Sequence, residues 1–227
     1  MKHFIYFSSK APTSGKFDLN NLSKAGRMDI AIHSLIQGLF LSHDFRTDVK
    51  FHFVFYGMPD PPKHIEIQVK ENTPIRKKDI ATLIKKILYK YKESKKTEVF
   101  SGCFVEKKSF LKVVGGLALK SVQPHTLKGT RGLRYPKGHK EPLTRPSVNE
   151  DINTEGKIFI LDKKGEDIRK VKIPKDCVFV LGDQEGLPKK ELKRLKQIAT
   201  SVSVGPKVYF ASQVVAIVNN ELDYRGI

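Results

Sequence analysis

An apolar run, CVFVL at residues 177–181, breaks into the turn LGDQEGLP and then into a charged segment opened by Pro188. A buried strand running through a glycine turn into a helix is the building unit of α/β proteins, and that turn is where they usually hold a ligand. The C-terminal third repeats the unit. KIFIL (157–161) and SVSVG (201–205) read as further strands, and residues 188–198 and 211–222 as helices. Strands alternating with helices imply an α/β fold with a mostly parallel sheet.

The N-terminal half is compatible with this. HFIYF (3–7) reads as a strand and 13–27 as a polar connection. Met28, Ile32, Leu35, Ile36 and Leu39 recur at helical spacing, which predicts an amphipathic helix over 28–40. VKFHFVFYG (49–57) alternates as a strand does, and the proline turn MPDPPKH leads into a second alternating run, IEIQV (65–69). Ile80, Ile84, Ile87, Leu88 and Tyr91 predict a helix over 78–93 whose lysines form a solvated face. Residues 121–156 differ, being rich in proline, glycine and basic side chains with little periodicity. So long a loop is functional or irregular. It reads as a basic insertion that folds against RNA, or as a plain surface loop, within one domain spanning 1–227.

Charge narrows the partners. Lysine and arginine number 42 against 24 acidic residues, a net charge of +18. Such a surplus favours a polyanion, most often nucleic acid; a generally lysine-rich composition is the other reading. Cys103 and Cys177 lack metal-ligand spacing and read as reduced thiols of a cytoplasmic protein. No apolar run has the length of a signal peptide or a membrane span.

Common catalytic signatures are missing. There is no G-x-G-x-x-G after a strand, no P-loop, no H-E-x-x-H and no G-x-S-x-G. What remains is three strand ends, Leu161–Asp167 (LDKKGED), Leu181–Leu187 (LGDQEGL) and Val204–Tyr209 (VGPKVY), which could form one pocket. The acids in LGDQEGL disfavour a phosphate-rich ligand and suit an uncharged or cationic one; ordinary glycine-punctuated turns are the plainer reading. GRMD puts Arg27 and Asp29 at a helix start, where a carboxylate also favours the dipole. SHDFRTD supplies His43, Asp44 and Arg46, either a base-recognition cluster or a salt-bridged turn.

Taken in order, GRMDIAIHSLIQGLFLSHDFRTDVKFHFVFYGMPDPPKHIEI, LDKKGED, VLGDQEGLP and VSVGPKVYFASQVVAIVNNELD resemble the archaeal tRNA pseudouridine-54 N1-methyltransferases of the TrmY family, within the SPOUT superfamily. The resemblance implies a C-terminal trefoil knot, a homodimer, S-adenosylmethionine as cofactor and the T-arm of tRNA as partner, with no metal. Carried over by position, Leu161, Gly182, Val204, Gly205, Pro206, Lys207, Val208, Tyr209 and Val214 line the cofactor pocket; Val214 stands where some relatives carry cysteine. Asp29 would accept or orient the N1 proton, and Arg27 would hold a carbonyl or phosphate. His43, Asp44 and Arg46 would recognise the base. Arg131, Arg134, Lys137, Lys140 and Arg145 would clamp the RNA backbone. An rRNA substrate, or an inactive RNA-binding protein of the same fold, is the alternative.

Overall fold

The computed structural model describes residues 1–93, 95–119 and 157–227. Its eight strands are β1 (Lys2–Ser8), β2 (Val49–Phe55), β3 (Lys63–Gln68), β4 (Thr97–Phe100), β5 (Cys103–Glu106), β6 (Ile158–Asp167), β7 (Cys177–Gly182) and β8 (Thr200–Ser203). They form one sheet in the order β4-β5-β3-β2-β1-β7-β6-β8. The five strands β2, β1, β7, β6 and β8 are parallel, and β3, β5 and β4 extend that sheet antiparallel.

Helices cover both faces, as parallel strands buried on both sides require. On one face lie α1 (Met28–Leu39), α2 (Ile80–Tyr89) and α5 (Ala211–Tyr224). Their buried Leu35, Leu39, Ile84, Ile87, Val215 and Val218 meet Phe4, Tyr6, Phe51, Phe53 and Phe179 of the sheet. On the other face α3 (Phe110–Leu119) and α4 (Lys189–Leu195) bring Phe110, Val113 and Leu195 against Ile5, Phe7, Val54 and Val180. Truncating Leu35, which is fully buried, to alanine would cost about 2–5 kcal/mol.

Helix α5 closes the α1 side. The buried Asn219 amide donates to the carbonyls of Gln37, at 2.9 Å, and Gly38, at 3.4 Å. It thereby serves carbonyls that a helix end leaves without intrahelical partners. The Arg46 guanidinium grips the Asp223 carboxylate with both terminal nitrogens, tying the α1–β2 connection to the last turn of α5.

The opposite sheet face carries a polar chain among its apolar side chains. His3 Nδ1 meets His52 Nε2, His52 Nδ1 meets His64 Nε2, and His64 Nδ1 meets Glu106, each at 2.9 Å. The Glu106 carboxylate can only accept, so a proton on Nδ1 of every ring satisfies the whole chain. Burial lowers the pKa of all three histidines, His3 to about 4.

Two expectations change. LDKKGED is not a loop at a strand end. Residues Leu161–Asp167 continue β6 past a register shift and pair again with β8, Glu166 opposite Val202 and Asp167 opposite Ser203. The predicted helix over 78–93 is shorter, Ile80–Tyr89, after a 3-10 turn at Lys77–Asp79. The basic segment 121–156, with Arg131, Arg134, Lys137, Lys140 and Arg145, lies outside the described residues.

Candidate functional site

The turn after β7 is built on a backbone close approach. Gly186 N–H donates to the Asp183 carbonyl at 2.9 Å, and a Cβ on Gly182 would lie 2.4 Å from the Gly186 carbonyl carbon. No residue with a side chain fits at Gly182. Glycine also suits position 186, whose φ is 77°.

Asp183 and Glu185 brace this turn. Asp183 accepts from Glu185 N–H at 2.9 Å with one oxygen and from Ser9 N–H at 3.2 Å with the other. Glu185 accepts from the Ser9 hydroxyl at 3.1 Å and is ion-paired with Lys10, contacts that hold its carboxyl below the usual range. Both acids therefore fasten the turn to the end of β1.

The segment after β8 forms the facing wall. The Ser203 hydroxyl donates to the Gly205 carbonyl at 3.0 Å, the Tyr209 ring folds over Gly205, and the Gln213 side chain accepts from Phe210 N–H at 2.9 Å at the start of α5. Between the walls lies a cavity of about 430 Å³. It brings together Leu161, Gly182, Val204, Gly205, Lys207, Val208, Tyr209 and Val214; Pro206 is not among its lining residues. Leu181, Val202 and Ile30 add apolar surface, and Asp162, Asp183 and Gln213 add acceptors. The mixture fits a ligand with a flat apolar ring and a few hydrogen-bonding edges.

Arg27 lines the same cavity. Its backbone is left-handed, φ 61° and ψ 40°, directly after Gly26 at φ 60°. A Cβ on Gly26 would lie 2.0 Å from the Lys10 carbonyl oxygen, so glycine is required there. The Arg27 guanidinium donates to Asp29 from Nε at 3.0 Å and Nη2 at 2.9 Å. That hydrogen-bonded pair lowers the Asp29 pKa against the opposing effect of burial. Asp29 does not itself line the cavity; it stands behind Arg27.

Across Gly26 a second, more open groove is lined by Lys10, Lys16, Lys24, Phe17 and Met58, with Asp18 among them. The sequence reading missed these lysines, although the glycine in AGRMD marks the place where the chain turns between the two cavities.

His43 and Asp44 are exposed and line neither cavity. Asp44 closes its own turn, with its carboxylate accepting from Phe45 N–H at 2.7 Å and its carbonyl from Leu41 N–H at 2.9 Å. Arg46 is engaged by Asp223 as described. Among the described residues one cluster, His52, His64 and Glu66, has potential metal ligands within 4.8 Å of one another. It lies on the sheet face away from the cavity, and both nitrogens of each of these histidines already have partners.

An α/β sheet with a glycine-walled cavity at its strand ends, in so basic a chain, fits an enzyme that acts on a polyanion. A family model described as "Putative SAM-dependent RNA methyltransferase" matches residues 1–130 and 146–227, and the chain belongs to that family. The "tRNA (pseudouridine(54)-N(1))-methyltransferase" of Pyrococcus abyssi is 31% identical over 100% of both chains. The enzymes of the same name from Methanococcoides burtonii and Methanocaldococcus jannaschii are each 29% identical, covering 98% and 100% of this chain and 96% and 98% of their own. The crystal structure of Nep1 from Archaeoglobus fulgidus, bound to S-adenosylhomocysteine, shares the fold. It has a TM-score of 0.56 and 13% identity over 100% of this chain and 99% of that one.

Proposed function

We propose that the protein methylates N1 of a pseudouridine in the T-loop of tRNA, at position 54, using S-adenosylmethionine. The observation that carries this reading is Arg27 on the wall of the glycine-lined cavity, with Asp29 hydrogen-bonded to it. The names of the full-length relatives supply the substrate and the ring position.

Gly182, Leu161, Val204, Gly205, Lys207, Val208, Tyr209 and Val214 would hold the cofactor, whose sulfonium supplies the methyl group. Gly182 and Gly205 let the ligand approach the backbone closely. Asp162 and Asp183 place negative charge near a cationic ligand. Asp29 takes the N1 proton. While Arg27 holds it, the carboxylate is a poor base. A substrate carbonyl or phosphate that draws Arg27 away restores its basicity, so the base is freed when the substrate arrives. Alignment of N1 with the methyl group contributes much of the remaining acceleration. The RNA backbone would run over the Lys10, Lys16 and Lys24 groove, next to Arg27.

Two further features belong to the same reading. The C-terminal segment threads a trefoil knot; in support, the chain leaves edge strand β8 and returns across the sheet to pack α5 against α1. The protein acts as a homodimer, with the exposed Val208, Phe210 and Tyr224 in the contact. The work of such an enzyme lies in the cytoplasm, and no helix among the described residues is long and apolar enough to cross a membrane.

The test is methyl transfer to a synthetic T-arm carrying uridine or pseudouridine at the target position. Transfer to the pseudouridine form alone is expected; equal use of both would sink the N1 chemistry.

A further inference from the structure

Met58 is 75% exposed, and its side chain forms part of the same groove lining as Lys10, Lys16 and Lys24. A lone exposed apolar side chain on a loose loop would mean little. The turn that carries this one is fastened on both sides. Gly57 N–H donates to the Ala11 carbonyl at 3.0 Å, and Thr13 N–H donates to the Met58 carbonyl at 3.1 Å. The buried Thr13 hydroxyl donates to the Gly57 carbonyl at 2.8 Å and accepts from Asp60 N–H at 2.9 Å. Lys63, itself buried, donates to the Asp60 carbonyl at 2.8 Å. Withdrawing Met58 from solvent would break these bonds.

The turn also has a fixed place relative to Arg27. A Cβ on Gly57 would lie 2.4 Å from the Lys10 carbonyl oxygen, the same atom that a Cβ on Gly26 would meet at 2.0 Å. Two glycines thus pack against one oxygen. The residues that follow them are Arg27, on the wall of the first cavity, and Met58, in the groove. Lys16 and Lys24 add exposed cations to that groove, which favour a polyanion. An apolar tip among such cations suits RNA better than an apolar protein surface, against which the lysines would lose their water.

We propose that Met58 is a positioning residue for the RNA, its thioether packing on the face of the nucleobase next to the target nucleotide while Lys16 and Lys24 hold phosphates. A nucleotide turned out of its stack to reach Arg27 leaves its neighbour's ring face uncovered, at a cost in stacking energy. The Met58 backbone is held, but its side chain is adaptable and polarisable, so it covers a flat ring whatever the base. Apolar wedges act in this way at unstacked steps of nucleic acids. The contact steadies the opened RNA without reading its sequence. This rests on the T-arm methyltransferase reading proposed above.

The experiment compares Met58→Ala and Met58→Leu with the wild type on pseudouridine T-arm RNA, and on two T-arms made abasic immediately before or immediately after the target. Met58→Ala should weaken binding of the intact RNA and raise its KM about tenfold, near the lower end of the scale for one base contact. Because the contact is made in ground and transition states alike, kcat should stay within about threefold. The slope of log K against log salt should not change, since no phosphate contact is lost. Met58→Leu should recover most of the affinity. On one of the two abasic RNAs, Met58→Ala should cost almost nothing further. Melting temperature and S-adenosylhomocysteine affinity should not move, since the side chain is exposed and lies outside the other cavity. A Met58→Ala protein that binds intact RNA as the wild type does overturns the proposal and leaves the methyltransferase reading standing. So does an equal loss on the intact and both abasic RNAs, or a flattened salt slope. Weakened self-association of Met58→Ala in sedimentation overturns it as well, by making a second copy of the chain the occupant. Wild-type protein that transfers no methyl group to the pseudouridine T-arm fails the underlying reading instead, and this proposal falls with it.

Discussion

Arg27 holds Asp29 in a two-nitrogen grip, at 3.0 and 2.9 Å, from a backbone in the left-handed region. That conformation costs a side-chain-bearing residue roughly 1–2 kcal/mol, and strain of this kind clusters at functional sites. Here it aims the guanidinium along the cavity wall with Asp29 behind it. Asp29→Asn keeps the shape and removes the base. The expected result is a fall in kcat of about 10²–10⁴-fold with cofactor affinity, measured by calorimetry, within about twofold. Loss of cofactor binding instead would give Asp29 a different role.

Gly182→Ala tests the opposite wall. Its methyl would sit 2.4 Å from backbone carbon of Gly186, and backbone yields less readily than a side-chain tip. The turn would have to move outward, weakening the contacts through which Asp183 and Glu185 hold it to Ser9 and Lys10. Overpacking of this kind costs about 1–3 kcal/mol. Binding of S-adenosylhomocysteine should weaken at least tenfold, on the order of 1.4 kcal/mol, while the protein stays folded by circular dichroism. Unchanged affinity would place the ligand elsewhere.

Much of the parallel sheet was legible, because apolar runs such as CVFVL and helical spacings such as Met28–Ile32–Leu35–Leu39 survive in one dimension. The antiparallel edge was not. β4 and β5 are four residues each and turn at Gly102, too short for alternation to stand out. α3 contains Gly115 and Gly116, which weaken a helical reading. The glycine-lined wall of the cavity was legible from glycines at strand ends, and GRMD gave the Arg27–Asp29 pair. Arg46 was harder to place. Its partner Asp223 lies far along the sequence, and nothing local distinguishes a bound arginine from a free one.

The histidine chain predicts acid sensitivity. Unfolded histidine takes up a proton near its ordinary value of 6.5, whereas His3 in the folded protein does so only near 4 and His52 and His64 are also lowered. Between those values the unfolded state binds more protons, so folding stability is full above about pH 6.5 and falls as the pH drops toward 4. The lowered carboxyl groups, Asp29 and Asp223 among them, act further into acid and do not explain a loss in this window. Melting temperature recorded across pH 4–8 should be level above neutrality and decline below about 6.5. A flat profile down to pH 4 would mean that the chain stays hydrogen-bonded when protonated.

The groove beside Gly26 predicts how RNA affinity responds to salt. Lys10 is ion-paired with Glu185, whereas Lys16 and Lys24 are exposed and paired with no carboxylate among the described residues. Two unpaired cations in a groove that adjoins Arg27 are placed to meet phosphates on either side of a nucleotide held there. Each phosphate contact contributes about 0.7 to 0.9 to the slope of log K against log salt. Reversing both charges, Lys16→Glu with Lys24→Glu, should therefore flatten that slope by between about one and two, and weaken T-arm binding at least tenfold at moderate ionic strength. Cofactor affinity should not move, since neither lysine lines that cavity. The same double reversal at Lys189 and Lys193 on α4, across the sheet from α1, is the control and should leave the slope nearly intact. If instead the α4 variant flattens the slope and the groove variant does not, the RNA crosses the other face. Arg27 would then have to reach its substrate without help from the Gly26 side.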